Sequence, residues 1–407
     1  MSLITLLKDE HKRIFRGLAY VVAGCYLTAG FFYGCSGATE EALQRKVDQD
    51  WLIMQTYTEK MVEPRLNSLI ESVGEIQSQI QTHCEPDNQR ALDIETLQEL
   101  WVQAMYDYHY LEPLMYGPEV TFDVGATKTP LRWIYSTLPP QRAPLVIRSQ
   151  ISAAERQKEN YNMSRPQIGA LGLHALEALL FNVLPEGEPF SSGSGECYYL
   201  QYMTQDLRGR LQDFEEQWIL SERNFIHSLE GKTRLREKIS ELASHMVLYT
   251  DHMLLGYRVK APMGLNQKLF ACDGFEECQQ KFSEHPYYLK SNLAFEAPLQ
   301  ALYDIFQTVR DENGSPARFS FDSYFEALNV NDSYLKSNPM GKLLTLSKSL
   351  KRDTLASDDL VNAEYSVGSE EIFIFKQDLQ SFLAWLKTDF LIGLNTQPPQ
   401  GVQGDND

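Results

Sequence analysis

His174 and Glu177 stand three residues apart in the run Gly172-Leu-His174-Ala-Leu-Glu177-Ala-Leu-Leu-Phe181. On a helix of ~3.6 residues per turn that spacing sets the two side chains about 60° apart, so imidazole and carboxylate share one face. The surrounding segment, 167–181, is apolar nearly all round, which predicts a buried helix. An ionised carboxylate buried alone costs several kcal/mol, so Glu177 must be paired, protonated or bound to a cation. A neutral imidazole beside a carboxylate is ligand chemistry for zinc or iron. A hydrogen bond that merely ties two helices together satisfies the same pattern. Gly172 costs about 1 kcal/mol in a helix interior relative to Ala, which predicts close approach of a neighbouring element there. The zinc-peptidase pattern His-Glu-x-x-His, which supplies two ligands and a general base from one helix, is absent from the chain.

Other titratable groups are weaker candidates. Asp107 and His109 lie close in sequence to Glu112 and are placed to orient a ligand, or to sit at a solvated helix end. His245 and His252 are seven residues apart, which on an α-helix puts them two turns apart on one face. No phosphate-binding glycine loop occurs. Lys and Arg number 37 against 55 Asp and Glu, a net charge of −18 without a dense basic run, which excludes nucleic acid as a natural partner.

These residues must be positioned by helices. Val62, Leu66, Leu69, Val73, Ile76 and Ile80 step by fours and threes, as do Leu97, Trp101, Ala104, Tyr108 and Leu111. The same stepping recurs at Met203, Leu207, Leu211, Phe214 and Trp218, and at Leu379, Phe382, Leu386 and Phe390. No long alternating pattern competes, so the fold class expected is all-α. Helices of this length, four to a bundle, make about 150 residues with their loops, so two packed four-helix bundles account for most of the body. Pro64 is expected to bend or restart the first helix. Breaks fall at 83–88, 116–130, 185–196 and 261–286, and the division between lobes is expected within 185–290. The helical body is expected over 49–395, with a linker at 35–48 and a flexible polar tail at 396–407.

The N-terminus reads as export machinery. Lys8, Lys12, Arg13 and Arg16 precede an uncharged stretch of 18 residues, Gly17 to Gly34, so residues 1–34 form a signal peptide or membrane anchor. This stretch resembles a bacterial lipoprotein signal. Cys35 sits where the apolar run gives way to Ser36-Gly37 and is the expected lipidated residue; Cys25, after Val22-Ala23-Gly24, is the alternative with the better local match. Cleavage before Cys35 leaves Cys84, Cys197, Cys272 and Cys278. Those four can pair completely, with Cys272–Cys278 as a local loop and Cys84–Cys197 by elimination, or remain buried thiols.

The Gly172-Leu-His174-Ala-Leu-Glu177 helix resembles the Gly-x-His-x-x-Glu helix of the imelysin family, the insulin-cleaving metallopeptidase-like proteins of bacterial envelopes. Trp101-Val-Gln-Ala-Met-Tyr106, followed by Glu112-Pro-Leu-Met-Tyr116-Gly117-Pro118, is similar to that family's Trp-led helix ending in Phe-Gly-Pro, with Tyr116 in the Phe position. Lys260-Ala-Pro-Met-Gly264 and the segment from Ser291 to Phe306 fall in the family's order. The resemblance implies a bilobal fold of two helical bundles, a membrane-anchored periplasmic lipoprotein, and a metal-linked role tied in many relatives to iron acquisition. It implies His174 and Glu177 as ligands of a divalent ion, iron or zinc, with Glu112 as candidate third ligand and Gly172, Gly117 and Pro118 as structural motif residues. The expected function is metal binding as a component of iron uptake, with an envelope protein as partner. Two alternatives stay open: a zinc metallopeptidase acting on polypeptides, and a metal-free adaptor that binds a partner protein between the bundles.

Overall fold

The computed structural model describes residues 46–85, 92–116, 143–163, 170–184, 192–260, 293–307, 319–328, 333–349 and 370–396. Cys25, Cys35, Gly117, Pro118, Cys272 and Cys278 lie outside the described residues. The chain divides into two units, Met1–Trp51 and Leu52–Asp407. Of the first, residues 46–51 are described and are helical. Everything that follows concerns the second.

All of its described elements are helical, and no strand occurs among the described residues. Helix α1 (Glu63–His83) follows a π-helical stretch, Thr56–Val62, without a break. Pro64 is the second residue of α1, where the π-helical stretch gives way to α-helix, so the helix restarts at the proline; in the first turn its missing N–H costs no intrahelical bond. The expected stripe is the buried face: Leu66, Leu69, Val73, Ile76 and Ile80 are all but inaccessible to solvent.

Helix α2 (Ile94–Leu111) starts on the Asp93 carboxylate, which accepts from the Thr96 amide, and buries Leu97, Trp101, Ala104 and Leu111. It packs on α1 along one side and on α7 (Leu293–Phe306) along another. Helices α3 (Ala143–Gln157), α4 (Gly172–Ala178) and α5 (Gly195–Trp218) complete the surroundings of α1 and α2, with α4 touching α2, α3 and α5. Gly195 lets α3 and α5 approach closely, since a Cβ there would stand 2.5 Å from the Ile151 carbonyl oxygen.

Helix α5 continues through a π turn, Ile219–Arg223, and a short helix, Asn224–His227, to a sharp corner at Ser228, whose hydroxyl caps α6 (Leu229–Leu248). Helix α6 runs on as a π-helix, Tyr249–Lys260. Helix α7 then packs on α10 (Pro339–Ser349), and α10 packs on α11 (Glu370–Trp385), with the short helices α8 (Phe321–Ala327) and α9 (Ser333–Lys336) between. The core here is aromatic. Phe306 meets Phe382, Trp385 and Phe390 at centroid distances of 5.8, 5.4 and 5.0 Å, edge to face, the arrangement that ring quadrupoles favour.

Cys84, just past α1, and Cys197, in the first turn of α5, form a disulfide with Cα atoms 5.6 Å apart and a separation of 113 positions in sequence. The pairing reached by elimination is thus the one formed. Closing a loop of that length removes about 5 kcal/mol of unfolded-chain entropy in the loop-closure model. Reduction, or Cys84→Ser with Cys197→Ser, is expected to lower the urea-unfolding free energy by about 2–5 kcal/mol. Coincident unfolding curves for oxidised and reduced protein would contradict that link.

Candidate functional site

Helix α4 is short and is held at both ends by its neighbours. The Trp101 indole donates to the Leu173 carbonyl at 2.8 Å, Gln98 to the Leu180 carbonyl at 2.9 Å, and the Tyr199 hydroxyl to the Ala170 carbonyl at 2.8 Å. Trp101 also lies edge to face with Phe181 at 5.1 Å. The side chains of α2 and α5 therefore fix the carbonyls on either side of the motif.

Gly172 opens this helix; it does not lie in the interior. Leu171 is extended, and Gly172 has φ +82°, a region that costs an L-residue energy and a glycine none. The expectation of an interior packing glycine is corrected here. The residue is needed for the backbone reversal that starts α4 two residues before His174. That requirement cannot be told from interior packing by spacing alone.

His174 and Glu177 do share a face. Their Nδ1 and Oε2 atoms are 3.2 Å apart; Glu177 is wholly buried, whereas 13% of the His174 side chain is exposed. A carboxylate on Nδ1 orients the imidazole, favours the Nδ1–H tautomer and directs Nε2 away from itself. The geometry is thus that of a carboxylate-oriented histidine, with Glu177 beside Nδ1 and Nε2, itself buried, on the far side of the ring.

Glu112 occupies a different cluster. Its Oε2 accepts from the Arg258 guanidinium at 2.7 Å and from the Tyr249 hydroxyl at 2.9 Å, and lies 2.8 Å from His109 Nδ1. Arg258 donates in addition to Tyr249 and, at 2.9 Å, to the Ala294 carbonyl. The His245 Nε2 lies 2.9 Å from the Glu112 carbonyl oxygen. All six residues are buried. The Glu112 carboxylate is the counter-charge of a buried guanidinium, and among the described residues no three His, Cys, Asp or Glu side chains are grouped to hold a metal ion. The structure therefore does not bring Glu112 to His174 and Glu177.

His109 Nδ1 lies 2.8 Å from Glu112, which is paired with Arg258 and is not brought to a metal ligand set, and its ring is buried, not at a solvated helix end; Asp107 turns to α1, where it accepts from Arg65 at 3.0 Å and Ser68 at 2.6 Å. His245 and His252 part company: the first is buried against Glu112 and the second is exposed. Their seven-residue spacing assumed an α-helix, and the π-helix from Tyr249 turns less per residue, which carries His252 off the face. Arg258, Tyr249, Gln98 and Tyr199 carried no sequence signal. Tyr116 uses the hydroxyl that a phenylalanine lacks, donating to Glu222 Oε2 at 2.8 Å, while Lys238 holds the other oxygen at 2.9 Å. Burial raises the Glu222 carboxyl, and Lys238 opposes that shift.

A family model described as Peptidase_M75: Imelysin matches residues 62–318. The fold is similar to that of an imelysin-like protein from Psychrobacter arcticum 273-4, at 15% identity, 87% coverage of this chain, 98% of that one and a TM-score of 0.61. No curated protein matches the chain.

Removing Arg258 leaves the buried Glu112 charge unpaired. Arg258→Met is expected to cost about 3–5 kcal/mol in urea unfolding, and adding Glu112→Gln to recover part of that loss. Strictly additive losses would contradict the pairing. Burial holds the His245 imidazole at about 4, against the opposing pull of the Glu112 carbonyl and charge. A depressed histidine pKa gives stability that is full above the unfolded value of about 6.5 and is lost as pH falls through the folded value, up to roughly 3 kcal/mol for this group. The stability difference between wild type and His245→Gln should therefore move in favour of the variant between pH 6.5 and 4, as read by urea unfolding at each pH.

Proposed function

The chain belongs to the imelysin family, and from that premise we propose that it is a lipid-anchored binding protein of the bacterial cell envelope that holds a metal ion at His174 as part of iron acquisition. The observation that carries this reading is the 3.2 Å contact between His174 Nδ1 and the buried Glu177 carboxylate. An imidazole oriented in this way coordinates through Nε2, and nitrogen with oxygen donors suits iron and zinc. His174 would hold the ion and Glu177 would hold His174. The remaining positions are then open to donors that arrive with the metal, as suits a protein that receives and hands on its cargo.

The same contact speaks against the peptidase alternative. A zinc peptidase needs a carboxylate placed as base beside the metal-bound water. Glu177 is engaged behind the histidine and Glu112 is engaged by Arg258. Two bundles suit a binding protein as well: α1, α2, α3 and α5 would form one, and the π-helical end of α6 with α7, α10 and α11 the other, with α2 meeting α7 between them. Anchoring through Cys35, with Cys25 as the alternative, would place this body at the membrane surface. No helix among the described residues is long and apolar enough to cross a membrane.

Full-length protein purified from envelopes should carry near-stoichiometric metal by mass spectrometry, and His174→Ala should carry none while keeping its helical circular dichroism. Glu177→Gln should weaken metal affinity about 10–100-fold without abolishing it, the effect of losing an orienting carboxylate. Equal loss in both variants would make Glu177 a direct ligand. Folded wild type that takes up neither iron nor zinc on reconstitution would overturn the metal reading in favour of the adaptor.

A further inference from the structure

Helix α5 meets the motif through its first turn. Tyr199, wholly buried, donates its hydroxyl to the Ala170 carbonyl at 2.8 Å, two residues before the backbone reversal at Gly172. Cys197 stands two residues earlier on the same helix. At about 100° per residue its side chain leaves the other side of α5, where it is bonded to Cys84 at the end of α1. The first turn of α5 is thus strung between two ties, a covalent one to α1 and a hydrogen bond to the backbone that begins α4. Of the three bonds that hold the motif segment by its carbonyls, those from Trp101 and Gln98 lie downstream of Gly172 and the one from Tyr199 lies upstream. Glycine crosses between negative and positive φ more readily than any other residue. A shift of α5 that releases Ala170 therefore acts on the reversal that aims His174.

The two sulfurs of the bridge are not equivalent. Cys84 is 8% exposed and Cys197 is 2% exposed. In the first turn of α5 the aligned peptide dipoles favour negative charge, which suits a departing thiolate. Both features select one direction of thiol exchange. A dithiol supplies the two electrons. Its first thiolate bonds to Cys84 Sγ as the sulfur–sulfur bond breaks, and Cys197 leaves as a thiolate that takes up a proton. Its second thiolate then displaces Cys84 Sγ, which is protonated in turn. The products are two protein thiols and one oxidised dithiol.

We propose that the Cys84–Cys197 disulfide is a redox-operated clamp on the His174 site: intact, it holds the imidazole in the orientation that binds the ion, and its reduction by a dithiol lets the start of α4 relax and weakens the hold on the metal. The proposal rests on the metal-binding reading above, and two readouts keep them apart. Full-length wild type, Cys84→Ser with Cys197→Ser, Tyr199→Phe and the triple variant are titrated anaerobically with zinc and with ferrous iron against a chromophoric chelator. The same proteins, metal-free and carrying isotope-labelled histidine, are compared by NMR at the His174 ring nitrogens, assigned through His174→Ala. Phe306→Leu, in the aromatic core of α7 and α11, is the control for a general loss of stability.

Loss of the bridge is expected to lower metal affinity about 10–100-fold, the range for losing a partner that orients a ligand, and to move the ring nitrogens from the Nδ1–H tautomer toward a mixture. Tyr199→Phe is expected to lower affinity with the bridge intact, and the triple variant to lose no more than the double one, because both act through one bond. Wild type reduced with dithiothreitol and then freed of it should match the serine variant. Equal affinity with and without the bridge, with the ring nitrogens unmoved, overturns the clamp and leaves the metal reading standing. No metal on the oxidised wild type overturns the metal reading; the ring nitrogens then decide the clamp alone, a shift supporting it and no shift overturning it. An equal loss of affinity in Phe306→Leu means general loosening and overturns the clamp, and a bridge that folded protein does not surrender to dithiothreitol overturns its redox operation.

Discussion

A carboxylate with no access to water is the constraint around which the site is built. Glu177 lies in a helix that is apolar on nearly every side, and its carboxylate stands 3.2 Å from the imidazole one turn earlier. A buried carboxylate left without partners is costly, so the folded state keeps this charge matched. Keeping the two groups together needs a helix of fixed start and direction. Gly172 provides the start through its positive φ, and Trp101, Gln98 and Tyr199 provide the direction by bonding carbonyls at both ends of the segment. The residues around the motif thus act on the backbone, and the backbone sets the histidine.

The second buried carboxylate obeys the same rule with a different solution. Glu112 is matched by a guanidinium, a phenol and an imidazole, drawn from α2 and from the π-helical end of α6, while Arg258 reaches on to the start of α7. A network of this kind specifies which helix ends meet, because no apolar slip can satisfy its donors and acceptors. The π-helical geometry contributes directly, since it sets Tyr249 and Arg258 on the side that faces Glu112. The two carboxylates therefore divide the work: one orients a histidine with part of its surface in reach of solvent, the other joins elements.

Much of this was legible in the sequence, for physical reasons that differ by residue. The helical stripes were readable because burial imposes a 3.6-residue period, and Leu66 through Ile80 or Leu379 through Phe390 lie where that period puts them. His174 and Glu177 were readable because three residues along one helix is a local distance. The Cys84–Cys197 bridge was one of the two readings that counting the cysteines left open. Arg258 was not readable, since its partners Tyr249, His109, Glu112 and Ala294 come from separate parts of the chain and meet only after packing. Glu112 looked like a ligand for the same reason: an acidic residue at a helix end does not reveal which cation answers it. The separation of His245 from His252 turns on a π-helical stretch, which leaves no periodic trace in the hydrophobic pattern.

Anomalous scattering at the iron edge from crystals of iron-loaded protein tests most directly the claim that a glutamate-oriented histidine is the point of metal attachment. The account predicts a peak about 2.1 Å from His174 Nε2, with Glu177 still on the opposite side of the ring at Nδ1. A peak at surface carboxylates alone, or at Glu112 after displacement of Arg258, would contradict it.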